Sequence, residues 1–303
     1  MKAVSLLPAA TEIAGALGLA GRLAAVSHEC DWPEEVRRLP RATACTVQDG
    51  TLESGEVDRR VRASLAAGES LYRLDAGLLR RLAPEVILTQ AVCDVCAPEY
   101  GGVAAFARTL ARPPRVVSLD PSSLEEVLGD FARVAEALGA PERAAPAVAA
   151  IRARLDAVAT AVAGRPRPRA LVLEWADPPY ATGHWGPDLV EVAGGTEVLG
   201  RAGEPSRRAT WEAIAAAAPE VVVLAFCGYA AERTLRDLPL LRARPEWAAL
   251  PAVRAGRVFA VDGNAFFSRP GPRLADSVEI LAGLLHPGSV PPPSGSAAPV
   301  PAS

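Results

Sequence analysis

Residues 80–90, RRLAPEVILTQ, and residues 215–226, AAAAPEVVVLAF, have the same pattern of helix-forming residues, a Pro-Glu pair and an apolar run. Proline ends a helix, and a short run of aliphatic residues directly after it predicts a buried strand. The prolines of the two segments, Pro84 and Pro219, lie about 135 residues apart. A helix–Pro–Glu–strand unit that occurs twice indicates two similar lobes.

Comparable apolar runs recur along the chain between segments with helical spacing, which is the pattern of α/β architecture. The predicted strands are Ala3–Leu7, Leu23–Ser27, Val86–Gln90, Arg115–Leu119, Ala170–Glu174, Val221–Phe226 and Val258–Val261. The predicted helices between them are Glu53–Ala67, Asp75–Leu82, Gly101–Leu110, Asp188–Ala193, Trp211–Ala218 and Pro272–Leu285. Because these strands are continuous apolar runs, we expect them to be parallel and buried on both faces.

The predicted strands fall into two sets separated by a long helical segment. Residues 122–164 have no strand signal and nearly continuous helix formers, as one helix or two in series, and we interpret them as a rigid connector. The predicted domains are therefore an N-terminal lobe at 1–121 and a C-terminal lobe at 165–286. Residues 287–303 are rich in proline and serine and are predicted to be disordered.

Charge and hydropathy exclude several classes of partner. The 303 residues carry 32 basic and 35 acidic side chains, and this lack of basic excess argues against nucleic acid or an anionic membrane as ligand. No run of 18 or more uncharged apolar residues predicts a transmembrane segment. Pro8, Thr11 and Glu12 interrupt the apolar N-terminus, so we predict a cytoplasmic protein, or an exported one if translation starts upstream.

In open α/β sheets, ligands bind outside the carboxyl ends of the strands, so residues directly after strands are candidate contacts. In the first lobe the small residues after the first strand let a ligand approach the backbone, although Thr11 and Glu12 can instead simply cap a helix. The candidates there are Pro8, Ala9, Thr11, Glu12, Trp32 and Gln90. In the second lobe aromatic residues follow the strands and predict the walls of a pocket. The candidates there are Trp175, Tyr180, His184, Trp185, Phe226, Tyr229, Asn264, Phe267 and Arg269.

Two further strand ends carry soft metal ligands. One has His28 and Cys30, and the other has Cys93 and Cys96 in a Cys-x-x-Cys spacing. Together they supply the four ligands of a tetrahedral zinc site or of a cysteine-bound iron site. The alternatives are a redox dithiol, a catalytic Cys–His pair drawn from Cys30 or Cys93 with His28 or His184, and plain packing. Cys45 has no partner pattern and is predicted to be structural.

Five segments give the chain a resemblance to a known family. They are VSLLPAATEI (4–13), HECDWP (28–33), DPPYATGHWGPDLVEVAGG (177–195), PEVVVLAFCGY (219–229) and VDGNAFFSRPGPRLADSVEIL (261–281). With them, residues 2–285 resemble the cobalamin-binding substrate-binding proteins of ABC transporters, of the BtuF type with the class III periplasmic-binding fold. The resemblance implies two Rossmann-like lobes joined by a long backbone helix, with the ligand in the cleft between them.

The family's ligand implies cobalamin or another corrinoid as the small molecule bound here. By similarity the cleft positions are Pro8, Ala9, Trp32, Tyr180, His184, Trp185, Tyr229 and Phe267. If the chain is exported, the resemblance also implies an ABC transporter permease as partner. The first hypothesis is a non-catalytic binding protein for a corrinoid or related metal chelate. The alternative is a cytoplasmic enzyme on the same fold, using zinc, iron or a reactive cysteine at His28, Cys30, Cys93 and Cys96. In a mixed case, His184 or a cysteine is an axial ligand of the corrinoid cobalt.

Overall fold

The computed structural model describes residues 1–47, 52–91, 100–291, 293 and 295–300. These residues form two compact units. Unit 1 contains residues 1–52, 56–121 and 125–149, and unit 2 contains residues 53–55, 122–124 and 150–303. Within the described ranges, no helix combines the length and the apolar character that crossing a membrane requires.

Unit 1 is built on a parallel sheet with the strand order β2-β1-β5-β6. Its strands are β1 (Ala3–Ser5), β2 (Leu23–Val26), β3 (Thr43–Cys45), β4 (Tyr72–Leu74), β5 (Val86–Thr89) and β6 (Arg115–Ser118). Its helices are α1 (Pro8–Ala16), α2 (Ser54–Ala66), α3 (Ala76–Leu82), α4 (Tyr100–Ala107) and α5 (Leu124–Ala137), the first residues of α2 and α5 being grouped with unit 2. Strands β3 and β4 form a separate antiparallel pair that the sequence patterns did not predict.

Unit 2 is built on a mixed sheet with the strand order β10-β8-β7-β11-β12-β13, and β9 also pairs with β7. Its strands are β7 (Arg169–Trp175), β8 (Tyr180–Ala181), β9 (Thr196–Glu197), β10 (Arg207–Arg208), β11 (Val221–Leu224), β12 (Val258–Val261) and β13 (Ala297–Pro299). After α6 (Ala144–Val162), its helices are α7 (Gly186–Val192), α8 (Trp211–Ala217), α9 (Ala231–Arg236), α10 (Leu238–Arg242), α11 (Pro245–Ala249), α12 (Pro251–Arg254), α13 (Gly263–Phe266) and α14 (Leu274–Leu285). The central strands β7, β11 and β12 are parallel, as predicted.

The repeated Pro-Glu phrase has the same structure in both units. Helices α3 and α8 each end at an alanine in the left-handed conformation, Ala83 at φ 45° and Ala218 at φ 43°. The glutamate that follows pairs with the residue entering the neighbouring strand. Glu85 accepts a hydrogen bond from the Lys2 backbone N–H at 2.9 Å, and Glu220 accepts one from the Arg169 N–H at 2.8 Å. The repeat therefore fixes the start of a central strand in each unit.

The structure gives the form of the connector, which the sequence left open as one helix or two, and it places part of the tail in a strand. Residues 122–164 form two helices, α5 and α6, separated by Gly139 at φ 72° and a short 3-10 turn over Pro141–Arg143. The boundary between the compact units falls inside α6, after Ala149, instead of at either end of the connector. The tail, predicted to be disordered, contributes β13, whose Ala297–Pro299 pairs with β12. The edge strand of a sheet has unpaired backbone N–H and C=O groups that can hydrogen-bond with any extended segment. The tail can therefore pair with β12 whatever its composition.

Candidate functional site

The carboxyl edge of the unit 2 sheet carries a group of aromatic side chains. Trp175, the last residue of β7, lies 5.1 Å from Tyr229 between ring centroids. The guanidinium carbon of Arg233 lies 4.2 Å from the centroid of the Tyr229 ring, and its Nη1 is 3.0 Å from the buried carboxylate of Asp237. No sequence pattern singles out Arg233, because its place over Tyr229 depends on how α9 packs after β11.

His184 lies in the loop between β8 and α7 and has a left-handed backbone, at φ 50°. Its backbone N–H donates to the Glu204 carbonyl at 2.6 Å, and its own carbonyl accepts from Gly203 at 3.1 Å. A left-handed histidine costs conformational energy and persists only where the surroundings hold it. These two hydrogen bonds hold it and fix where the imidazole points.

The His184 imidazole is stacked on the ring of Trp185, with 5.7 Å between centroids and 29° between planes. The Trp185 indole N–H donates to the Phe267 carbonyl at 3.0 Å, which anchors the stack to the segment after β12. Burial lowers the pKa of His184, which favours the neutral form of the ring. Its Nδ1 atom is buried and has no hydrogen-bond partner in the described part of the chain. A neutral imidazole is the form that ligates metals.

The side chain of Glu174 supports this loop through hydrogen bonds. Glu174 Oε1 accepts a hydrogen bond from the Thr182 hydroxyl at 2.7 Å. The Gly183 N–H donates to the Ser206 hydroxyl at 3.1 Å, and a side chain at Gly183 would collide with the backbone of residues 204–206. Burial raises the pKa of Glu174, although its hydrogen bonds with Ser206, Thr182 and Gly183 oppose the shift. The loop before His184 therefore has little freedom to move.

The remaining candidates of unit 2 divide into accessible and buried side chains. Tyr180 in β8 is half-buried and pairs with Trp175 across the strand register. Asn264 Oδ1 accepts from Arg269 Nη2 at 2.9 Å, but Arg269 itself is only 4% exposed. Phe267 is 9% exposed, and Phe226 has no exposed surface and packs in the unit 2 core. Phe226 thus supports the edge from inside and is not placed to touch a ligand.

The candidate ligand contacts of unit 1 differ in how far their side chains are exposed. Pro8 is the first residue of α1 and is half-buried, while Ala9 and Gln90 are nearly buried and Trp32 is 36% exposed. Thr11 and Glu12 have no exposed surface. The Thr11 hydroxyl lies 3.2 Å from the Leu7 carbonyl, to which it donates, and 3.1 Å from the Cys30 sulfur. The expectation that Thr11 and Glu12 contact a ligand does not fit this burial.

The predicted metal ligands are only partly described. Cys93 and Cys96 lie outside the described residues. Cys30 is buried against Thr11, whereas His28 contacts Thr43, Glu29 and Cys45. Among the described residues, no three His, Cys, Asp or Glu side chains are arranged to hold a metal ion. The described half of the set thus forms no such site, and a role for Cys93 and Cys96 stays a prediction.

His28 contacts Thr43 and Glu29 instead of Cys30, its predicted partner in a metal site. The His28 Nδ1 lies 2.8 Å from the Thr43 hydroxyl, and its Nε2 lies 3.2 Å from a Glu29 carboxylate oxygen. Burial lowers the pKa of His28, but hydrogen bonds with Cys45 and Glu29 outweigh it and raise that pKa to about 9. Thr43 and Cys45 reach one histidine because they are two apart on β3 and so lie on the same face of the strand.

Comparisons with known proteins agree with this architecture. A family model described as "Periplasmic binding protein" matches residues 78–265. A vitamin B12-binding protein of Vibrio cholerae serotype O1 is 23% identical over 280 residues, which cover 91% of this chain and 86% of that protein.

Two solved structures have a similar fold. One is a periplasmic heme binding protein from Pseudomonas aeruginosa, with a TM-score of 0.73, 20% identity and coverage of 99% of this chain and 98% of that one. The other is the periplasmic vitamin B12 binding protein BtuF of Vibrio cholerae, with a TM-score of 0.68, 23% identity and coverage of 94% and 96%. They confirm the predicted class III periplasmic-binding fold. Because the family model covers more than half of the chain, this protein belongs to the periplasmic binding protein family.

Proposed function

We propose that this protein binds a metal-centred tetrapyrrole without transforming it, and that a corrinoid is the preferred ligand. The observation that carries the proposal is the pair of half-buried aromatic groups in unit 2, where His184 stacks on Trp185 and Trp175 packs on the buried Tyr229 behind it. A large flat ligand with an apolar face gains most from such rigid aromatic surfaces, because their burial costs little side-chain entropy. The vitamin B12-binding relative from Vibrio cholerae supports the corrinoid.

A second ligand, haem, is favoured by His184. Burial lowers the pKa of its imidazole, which favours the neutral ring, and two backbone hydrogen bonds hold its main chain. Such a histidine is suited to be an axial ligand of iron or cobalt in a bound macrocycle. The similar fold of the heme binding protein from Pseudomonas aeruginosa supports haem as the alternative.

An absorbance titration tests the proposal. The purified protein is titrated separately with hydroxocobalamin and with haemin, and the shift of the absorption bands is followed to saturation. We expect saturable one-to-one binding of one of the two at micromolar concentration or below. We also expect His184→Ala to lack the band shift that axial ligation produces. Its affinity should be at least roughly tenfold weaker, since a metal–imidazole bond contributes more than about 1.4 kcal/mol.

The matched control is His28→Ala, which removes the half-buried histidine of unit 1. This variant is expected to bind like the wild type. Absence of saturable binding of both macrocycles at tens of micromolar would overturn the proposed function. Equal affinities and spectra for His184→Ala and wild type would retain the ligand class but remove His184 as axial ligand.

For location, we propose that the protein handles its ligand in the cytoplasm. The N-terminal apolar stretch is part of the folded unit, because it supplies β1, an inner strand of the unit 1 sheet, and α1, where Glu12 is buried. Cleavage of these residues as a signal would remove a central strand. Cell fractionation with immunoblotting tests the location, and recovery in the periplasm or at the cell surface would favour the alternative, export with an ABC transporter permease as partner.

A further inference from the structure

We propose that Glu197 is a positioning residue for His184, because its carboxylate holds the start of the loop 198–206, along which the His184 backbone is fixed. This loop joins β9 to β10. The expected effect on ligand binding rests on the proposed function, in which His184 is the axial ligand of a bound macrocycle. The effect on the loop itself does not depend on any ligand.

The Glu197 carboxylate accepts hydrogen bonds from three backbone N–H groups. Oε1 accepts from Leu199 and from Gly200, each at 3.0 Å. Oε2 accepts from Val172, in the middle of β7, at 3.1 Å. One half-buried side chain therefore ties the first residues of the loop to an inner strand of the unit 2 sheet.

The Val172 N–H lies where one edge of β7 changes its partner strand. On this edge β9 pairs with residues 169–170, and β8 pairs from Leu173 onward. Val172 lies between the two pairings and is only 2% exposed, so its N–H has little access to water. A buried N–H without an acceptor is costly, and Glu197 supplies the acceptor in this gap.

The far part of the loop carries the hydrogen bonds that hold the His184 segment. The Gly203 N–H donates to the His184 carbonyl at 3.1 Å, and the His184 N–H donates to the Glu204 carbonyl at 2.6 Å. The Gly183 N–H donates to the Ser206 hydroxyl oxygen at 3.1 Å. The end of the loop is fixed because β10 pairs with β8. Its start depends on the contacts of Glu197.

The start of the loop also lies directly against the segment that leads to His184. A side chain at Gly200 would collide with the Thr182 carbonyl oxygen. The Arg207 guanidinium donates to the Leu199 carbonyl and links the two ends of the loop. We therefore expect a displacement at residues 199–200 to shift His184 as well.

Glu197→Gln tests the need for two acceptor oxygens. Glutamine has nearly the same shape, but one oxygen is replaced by an amide group that only donates. With its oxygen toward Leu199 and Gly200, its amide group faces the Val172 N–H, and the opposite orientation leaves the other two N–H groups without an acceptor. In hydrogen-exchange mass spectrometry, we expect peptides covering residues 182–186 and 199–206 to exchange at least roughly tenfold faster than in wild type.

The matched control is Glu220→Gln, in the same unit. Glu220 also accepts a backbone N–H, from Arg169, but at a strand entrance that makes no contact with the loop. This variant is expected to exchange like the wild type in both peptides. Partial burial raises the pKa of Glu197 to about 7, although its hydrogen bonds with backbone N–H groups oppose the shift. The measurements are therefore made at about pH 8, where most of the carboxylate is ionised.

A double-mutant cycle with His184→Ala separates positioning from general damage to the fold. The ligand is hydroxocobalamin or haemin, according to which one the wild type binds. We expect Glu197→Gln to lose the band shift of axial ligation and to bind at least roughly threefold more weakly. On the His184→Ala background the same substitution should leave the affinity unchanged, because the group through which it acts is already absent.

Several results would overturn the proposal. In the wild-type protein, exchange of the Leu199 and Gly200 amides as fast as in an unfolded chain would do so even if the variant failed to fold. So would a folded Glu197→Gln protein with wild-type exchange in both peptides, an unchanged axial band, or equal losses of affinity on both backgrounds. If the wild type binds neither macrocycle, the proposed function fails, and the hydrogen-exchange result alone decides whether Glu197 positions His184.

Discussion

Asp130 on α5 is a residue whose ionisation should control the stability of unit 1. Its side chain is only 1% exposed, Oδ1 lies 3.1 Å from Arg133, and Oδ2 has no hydrogen-bond partner within the described residues. Burial raises the pKa of Asp130 to about 7, with Arg133 opposing the shift and Asp120 and Glu126 adding to it. An acid with a raised folded-state pKa contributes stability that is complete below its unfolded pKa of about 4 and is lost as the pH rises through 7.

We therefore predict that Asp130→Asn flattens the pH dependence of the free energy of unfolding. The asparagine keeps an acceptor for Arg133 and does not ionise, so the variant should be more stable than the wild type by about 2 kcal/mol at about pH 8, and similar to it at about pH 4. Urea unfolding followed by circular dichroism at both pH values measures this. Asp156→Asn, on the exposed face of α6, is the control. A variant less stable than the wild type at the higher pH would contradict the prediction.

At single positions, the sequence was a better guide to the loops that carry aromatic residues than to the accessibility of individual side chains. Trp175 and Tyr229 lie together because they come at the carboxyl ends of the neighbouring parallel strands β7 and β11, and that placement follows from sequence order. The burial of Phe226 depends on packing between distant segments, as does that of Thr11. The contact of His28 with Thr43 depends on β3, which contains only three residues and carries no strand signal of its own.

At the scale of elements, the repeated helix–Pro–Glu–strand unit places a glutamate that accepts a hydrogen bond at the start of a strand, and the contribution of this bond to stability can be tested. We predict that Glu85→Ala and Glu220→Ala each lower the free energy of unfolding by about 1 kcal/mol, since each removes the acceptor of one backbone N–H at a strand entrance. Thermal denaturation measures the effect, and Glu142→Ala, at an exposed position of the 3-10 turn, serves as control. Losses no larger than that of the control would show that the two hydrogen bonds contribute nothing.

The predicted core strands and most of the predicted helices are confirmed to within a few residues, because long apolar or periodic segments depend mainly on local pattern. The short elements of unit 2 were missed for the opposite reason. Strands β8, β9 and β10 have two residues each, and β13 lies in a Pro-rich tail. Their strand geometry comes from pairing with β7, β12 and one another, which no local pattern encodes.

At the scale of the whole molecule, four of the five tryptophans lie in unit 2, at positions 175, 185, 211 and 247, and only Trp32 lies in unit 1. Tryptophan emission therefore reports mainly on unit 2, which also contains the aromatic residues of the proposed ligand site. A ligand present at about 100 times its dissociation constant adds about 2.7 kcal/mol to the stability of the state that binds it. For a unit of about 150 residues this corresponds to a rise of roughly 5 to 10 °C in melting temperature.

We predict that hydroxocobalamin or haemin, whichever binds, raises the midpoint of the tryptophan-detected transition of the wild-type protein by this amount. His184→Ala, with its weaker affinity, should shift less at the same ligand concentration. Circular dichroism recorded in the same scans controls for quenching by the ligand, because it does not depend on emission. An unchanged midpoint at a ligand concentration that saturates the absorbance titration would mean that the ligand binds the unfolded chain as well as unit 2, and the aromatic edge would then no longer explain the binding.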